Sequence, residues 1–328
     1  EALRHGITSF HDAGSNFSTI DLYKKLEQKK ALPIRLYVMI QGENNERLAL
    51  NLKKYYSPYQ ENDFLTVRSI KAQLDGALGS HGAWLLQPYT DLPESSGLVL
   101  KPLPILKKTA ALALSYGFQL NTHAIGDRAN QEILNLYENA VAENKQILRD
   151  LRWRVEHAQH IHPRDVPRFG KLGVIASIQG VHCTSDGPWI ATRLGEKRAK
   201  ITSYPWRNLI DTGAIVANGT DTPVESINPI ASFYSSVSRT MNNSERFHPS
   251  QSMNRVEALK SYTINNAIAA FEEEYKGSIE VGKLADLVVL SENLLEVPDD
   301  QILSTQVDLT IVGGAIKYQR TGSIGVGH

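Results

Sequence analysis

Phe118-Gln119-Leu120-Asn121-Thr122-His123, followed at once by Ala124-Ile125-Gly126-Asp127-Arg128-Ala129, decides how the rest of the chain is read. A short apolar-alternating run ends in His, turns through Gly and enters a helical pattern from Gln131 to Ala142, which reads as a barrel strand, its loop and the next helix. His123 thus sits at a strand's C-terminal end, where parallel α/β proteins bind ligands and draw catalytic side chains from several strands. One such His could be an ordinary hydrogen-bonded histidine. Repetition argues otherwise. Arg152-Trp153-Arg154-Val155-Glu156-His157 and Ala214-Ile215-Val216-Ala217-Asn218-Gly219-Thr220-Asp221 share the design, each strand ending in a side chain able to bind metal. Ser69-Ile70-Lys71-Ala72-Gln73-Leu74-Asp75-Gly76 puts a lysine inside a fourth such strand.

The bulk composition narrows the classes of function. The chain has 328 residues, enough for one large α/β domain with a small appendage. Its 35 basic and 35 acidic residues are evenly mixed and cancel, which leaves no footprint for nucleic acid or an anionic membrane and points to a small-molecule partner. A homo-oligomer is compatible with this reading. Cys183 is the single cysteine, so an internal disulfide framework and a thiolate zinc cluster are excluded. Any metal must be held by N and O ligands. No apolar run approaches the roughly 20 residues that span a bilayer. The chain opens on Glu1 rather than Met, inside what reads as the end of a helix, so the true N-terminus is expected upstream. Localisation is weakly constrained, with the cytoplasm slightly favoured.

Taken in order, strand and helix patterns alternate strictly. Strands end near His11, Met39, Leu74, His123, His157, Gln179 and Asn218. Helices are expected over Ser18 to Gln28 with Ser18 as N-cap, Glu43 to Tyr56, Leu103 to Tyr116, Ala129 to Ala142, Pro163 to Leu172 and Pro205 to Thr212. Seven strands of this kind point to a (β/α)8 TIM barrel whose first strand is absent from the chain, since closure needs about eight. Two connections are unusually long. Asp75 to Gly97 exceeds the usual span of about 2 to 6 residues, and Gly76, Gly79 and Gly82 beside Lys71 suggest close backbone approach to a ligand rather than a mobile excursion. Gly180 to Trp189 reads as a second long polar loop. After Asp221 a helical stretch from Arg255 to Phe271 gives way to short β strands with a Gly313-Gly314 hairpin turn, part of a small C-terminal β-sandwich. The expected division is 1–275 barrel, 276–320 sandwich portion and 321–328 disordered tail.

Histidine nitrogens and a carboxylate converging from different strand ends suit a divalent ion with an open position, most simply zinc. Such an ion lowers the pKa of bound water from about 15.7 to about 7 and polarises a carbonyl, so hydrolysis follows. Asp221 would touch the metal, take the water's proton and pass it to the leaving amine. Lys71 is the odd member, because an ammonium cannot ligate a cation. Beside a cation its pKa falls, and a neutral lysine can add carbon dioxide to become a carbamate bridging two ions.

Lys71, His123, His157 and Asp221, in that order on strand ends, resemble the amidohydrolase superfamily. More narrowly, Asp75-Gly76-Ala77-Leu78-Gly79-Ser80, His123 to Ala129, Val155-Glu156-His157 and Gly219-Thr220-Asp221-Thr222-Pro223-Val224 are similar to its amidohydrolase-3 branch, which includes N-substituted formamide deformylases. Gly277 to Leu290 resembles the segment by which these proteins return to their small β-sandwich. The resemblance covers nearly the whole chain. It implies a hydrolase of a C-N bond in a non-peptide amide or formamide, with Asp221 as base and acid and with one or two zinc ions on Lys71, His123, His157 and Asp221. An esterase, lactonase or deaminase of the same superfamily would use the same set, and a non-catalytic scaffold or incomplete fragment is the rival from another class.

The family's His-x-His pair on its first strand has no counterpart here. His160 and His162 have that spacing but follow His157 in a turn before Pro163, and read as residues at the surface or behind the site. His81 stands where relatives often carry Arg, which puts its carried-over contact with a substrate anion in doubt. His182 and Asp186 resemble positions that face substrate in this branch, although loop polar residues are often merely solvated. Arg128 reads as structural, pairing with Asp127 or a carbonyl; His11 occupies a place that is not a metal ligand in relatives; and Trp84, Trp189 and Trp206 read as packing. With the first strand missing, the strands at Ile7 and Ala214 would each carry an unpaired row of backbone groups. Residues 1 to 328 alone are then expected to bind metal weakly, hydrolyse poorly and associate through the gap.

Overall fold

The computed structural model describes residues 1–60, 63–144 and 151–322. Seven strands, β1 (Ser9–Ser15), β2 (Arg35–Ile40), β3 (Leu65–Gln73), β4 (Gln119–Ala124), β5 (Arg154–His157), β6 (Ile175–Gln179) and β7 (Val216–Gly219), form one sheet in sequence order. Every neighbouring pair is parallel. Between them run α1 (Phe17–Gln28), α2 (Asn45–Tyr55), α3 (Leu103–Tyr116), α4 (Asp127–Asn144), α5 (Val166–Leu172), α6 (His182–Leu194), α7 (Glu196–Thr202) and α8 (Trp206–Asp211). β4 and β5 are buried along their whole length, as strands of a sheet covered on both faces must be.

The sheet curls. β1 and β5 are four strands apart, so a flat sheet would separate them by about 19 Å. Yet Arg154 Nη1 on β5 lies 3.1 Å from His11 Nδ1 on β1. Inside the curl, Tyr37 donates to Gln119 Oε1 at 3.0 Å, joining β2 to β4.

Beyond β7 come α9 (Pro229–Ser238), α10 (Arg255–Tyr262) and α11 (Ile264–Ala270). The single helix expected from Arg255 to Phe271 is two, because Thr263 leaves helical geometry at φ −119° and ψ −97°. That break lets α11 turn under the sheet. Its C-terminal carbonyls at Ile268 and Ala269 accept from Arg152, Gln119 and Arg154, so the negative end of a helix faces two guanidinium groups, of which Arg154 is buried. The same helix covers β7. Ala176 N–H donates to Ile215 O, which leaves Val216 and Asn218 facing away from β6. Their carbonyls accept from Asn265 and Asn266 side chains at 2.9 Å each. The bare edge expected on this strand is therefore satisfied on its acceptor side.

The last three strands, β8 (Leu287–Leu290), β9 (Val307–Val312) and β10 (Ala315–Gln319), form a separate antiparallel sheet in the order β10-β9-β8. Gly313 and Gly314, at φ 59° and 78°, supply the hairpin turn where two successive positive φ values are needed. Of the tail read as disordered, residues 323–328 lie outside the described residues.

Two local readings are corrected. Asn16, not Ser18, caps α1, its side chain accepting from Thr19 N–H at 3.0 Å while Ser18 Oγ bonds back to it. The stretch read as a polar loop from Gly180 is helical from His182 onward, with Pro188 inside α6. Its composition misleads because Thr184 Oγ1 bonds back to Val181 O at 2.9 Å and Gly187 packs against Met241 and Phe247. Tertiary contact overrides propensity there.

Candidate metal centre

His123, His157 and Asp221 come to the same end of the sheet because each follows or closes a parallel strand. The His123 and His157 rings meet edge to face with centroids 4.4 Å apart. His157 and Asp221 have φ of 77° and 58°, a left-handed backbone that non-glycine residues adopt at a cost of order 1–3 kcal/mol each. One donor atom each from His157, His182 and Asp221 lie within 4.8 Å of one another. His182, the first residue of α6, brings Nε2 to 3.2 Å from Asp221 Oδ2.

The ring nitrogens are held in defined roles. His157 Nδ1 is 2.7 Å from Gln179 Oε1, an acceptor only, so it carries the proton and Nε2 keeps its lone pair. His123 Nε2 is buried without a hydrogen-bond partner, its nearest carboxylate oxygen being Asp75 Oδ1 at 3.5 Å. Burial, and then the Lys71 charge, push His123 down to about 3. Burial, His123 and Lys71 hold His157 well below the usual histidine range. Both imidazoles are therefore neutral at pH 7, with lone pairs free for a cation. For His182 burial acts downward, but Asp221, Asp186 and Glu225 outweigh it and raise the pKa. Lys71 on β3 pairs in register with Asn121 and makes no hydrogen bond or ion pair among the described residues, neither with Asp75 nor with Asp221. Neutral nitrogens, a carboxylate and an orphaned ring nitrogen are a donor set that fits a divalent ion.

The long segment from Asp75 to Gly97 is tied down rather than mobile, and its glycines pack against protein instead of a ligand. Gly76 and Gly82 lie back to back, and Gly79 faces the Trp189 ring. Asp75, fully buried, accepts from the backbone N–H groups of Trp84, Ile125 and Gly126 at 2.8 to 3.0 Å. Trp84 O in turn accepts from Arg128 and Ala129 N–H, capping α4. A Cβ on Gly126 would stand 2.0 Å from Trp84 O, so only glycine fits where the His123 strand turns into α4. Asp75 and Gly126 thus fix the loop that follows His123.

The other expected site residues have these places. His81 pairs with Asp91 at 3.1 Å, and Arg193 bonds the same carboxylate and Gly79 O. Asp186 accepts from Tyr204 OH at 2.6 Å, four residues along α6 from His182 and so on its face. Arg128 pairs with Glu132 at 2.7 Å, not with Asp127, and its guanidinium lies over Trp84. Trp206 is wholly buried packing. His160 is also wholly buried, Nδ1 3.0 Å from Ser203 Oγ, which removes the surface reading. His11 is neutral, held far down by burial and then by Arg154, and accepts from that arginine at the opposite end of the sheet.

Three residues went unassigned in the sequence reading: Gln179, which fixes His157; Asp75, seen only as part of a motif; and Glu225, whose Oε1 lies 3.6 Å from His182 Nδ1. Gln179 closes a strand as His157 does and could have been found by that rule. Glu225 had no signal, since its approach depends on the loop after β7.

The fold is a curled parallel α/β sheet with a cluster of metal-competent side chains at its C-terminal end. The chain belongs to the amidohydrolase family, whose model matches residues 1–318. It is 36% identical over 329 residues to the protein LONG AFTER FAR-RED 3 of Arabidopsis thaliana, covering 97% of this chain and 55% of that protein. It is 29% identical over 324 residues to the putative amidohydrolase YtcJ of Bacillus subtilis, covering 96% and 59% respectively. An N-substituted formamide deformylase of Arthrobacter pascens matches at 29% identity over 214 residues, 65% of this chain and 39% of the enzyme. Among solved structures, an uncharacterized metal-dependent hydrolase from Pyrococcus horikoshii superposes with TM-score 0.77 at 27% identity over 89% of this chain and 57% of the other. The chain thus spans just over half the length of the first two of these relatives. Among the described residues no helix is long and apolar enough to cross a membrane.

Proposed function

We propose that this chain is the greater part of a (β/α)8 metal-dependent hydrolase that cleaves a C-N bond in a small non-peptide amide or formamide. The observation that carries the reading is the meeting of neutral His123 and His157, rings 4.4 Å apart, with a donor atom of His157 within 4.8 Å of one on Asp221, at the C-terminal ends of β4, β5 and β7. Kinship with a formamide deformylase and a putative amidohydrolase supports the bond type. The site would take one or two divalent ions, zinc first, on Lys71, His123, His157 and Asp221. Such an ion polarises a carbonyl and acidifies water.

The protein groups do the rest. Gln179 keeps His157 in the tautomer that leaves Nε2 free. Asp75 and Gly126 hold the His123 loop. Asp221 takes a proton from the attacking water and returns it to the departing nitrogen, so no charge is stranded on a poor leaving group. His81 and Asp186 belong to the substrate side, His81 through a side chain 27% exposed. The evenly balanced charge fits a small-molecule substrate rather than nucleic acid.

Metal analysis of the full-length protein is the test. The wild type is expected to carry about one or two zinc per chain and His157→Ala to lose both metal and hydrolysis. A wild type without metal, or hydrolysis surviving the substitution, sinks the reading. Panels of amides, esters, lactones and amino-heterocycles separate the C-N bond from its superfamily alternatives.

Lys71 enters this reading as a carbamate, supported by its having no ion pair among the described residues and by its charge acting on both histidines. Lys71→Ala should lose metal and activity and regain part of each when short carboxylic acids are added. Full activity without rescue would remove Lys71 from the site.

A further inference from the structure

His182 was expected to face substrate. Its surroundings are those of a ligand. His182 is 7% exposed and stands at the start of α6, directly beyond the end of β6. Both ring nitrogens face carboxylates: Nε2 is 3.2 Å from Asp221 Oδ2, and Nδ1 is 3.6 Å from Glu225 Oε1. Glu225 is itself fixed, accepting from Ser185 Oγ at 2.7 Å.

A neutral imidazole carries one N–H and one lone pair. With the N–H on Nε2 the ring donates to Asp221; with the N–H on Nδ1, toward Glu225, the Nε2 lone pair faces the Asp221 carboxylate, and a cation between the two would reconcile them. His157 repeats the arrangement, its Nδ1 tied to Gln179 and its other nitrogen free. Two imidazoles turned toward one carboxylate, the His157 Nδ1 hydrogen-bonded to Gln179 and the His182 Nδ1 facing Glu225 at 3.6 Å, resemble ligands oriented by an oxygen acceptor behind them. The scale agrees as well. Ligands about 2.1 Å from a tetrahedral ion are about 3.4 Å from each other, close to the His182–Asp221 separation. One donor atom from each of His157, His182 and Asp221 already lies within 4.8 Å of the others.

We propose that His182 is a protein ligand of the metal, sharing an ion with His157 and Asp221, and that Glu225 is the positioning residue that orients it. The assignment rests on the metal-dependent reading above and adds a ligand the sequence did not offer. The rival is a histidine, neutral or protonated, that donates Nε2–H to Asp221 and has no part in holding metal.

Zinc competition against a chromophoric chelator, on the full-length protein, separates the two. Wild type should compete strongly. His182→Ala should weaken zinc binding by about a hundredfold or more, and Glu225→Gln, which leaves every ligand in place, by about tenfold, the lower end of what an orienting partner contributes. Cobalt loaded in place of zinc should show an altered visible spectrum in His182→Ala, as expected when a nitrogen ligand is lost. Should His182→Ala misfold, Glu225→Gln decides alone. If both variants hold zinc as tightly as wild type with unchanged cobalt spectra, the proposal is overturned while the family reading stands. If the wild type binds no zinc or cobalt, both fall together.

Discussion

Asp221→Asn is expected to lower kcat by about 10²- to 10⁴-fold while leaving KM and melting temperature close to those of the wild type. Asn keeps the volume, the backbone preference for left-handed φ and one oxygen able to touch a cation. It cannot accept a proton. At the end of β7 the carboxylate faces the space bordered by His157 and His182, so the loss falls on proton transfer rather than on the fold. Steady-state kinetics on the best amide found in the panel, with metal content measured in parallel, gives the check. A variant with normal metal and kcat within tenfold of wild type would take the proton-transfer role from Asp221 and leave it a ligand alone.

Much of this centre was legible because the pattern that produces it is local. A parallel strand buried on both faces is a continuous apolar run, and a His or Asp closing that run can only emerge at the sheet's C-terminal end. His123, His157 and Asp221 are readable for that reason, and Lys71 by its place inside β3. What was not legible depends on approach between distant segments. His182 and Asp186 share a helix face that a loop-like composition concealed. Glu225 reaches His182 across 43 residues, and Asp75 reaches Ile125 and Gly126 across 50 and 51. The glycines of the Asp75 segment were expected to let backbone approach a ligand, but Gly76 and Gly82 approach each other and Gly79 the Trp189 ring. Sequence gives the need for space and not its occupant.

The opposite end of the sheet should carry a large share of stability through one residue. Arg154 is 1% exposed, and its guanidinium has no carboxylate partner among the described residues. It is held instead by His11 Nδ1 at 3.1 Å, by Ala269 O at the C-terminus of α11 and by the face of Tyr37, 5.1 Å from the ring centroid, while its Nε is buried without a partner. These partners come from β1, β2 and the helix beneath the sheet. Arg154→Ala leaves a cavity and an unpaired His11 ring nitrogen, with Ala269 O keeping only its bond from Gln119, and should cost about 3–5 kcal/mol of unfolding free energy. Arg154→Lys should recover little, because one ammonium cannot reach both His11 and Ala269 as the planar fork does. Urea denaturation of both variants measures this, with the slope checked for two-state behaviour. A loss under about 1 kcal/mol for the alanine variant would mean that the helix end holds without the guanidinium. The curl of the sheet would then owe its closure at this end to Gln119 and Arg152 alone, the two other side chains that bond the carbonyls of α11 there.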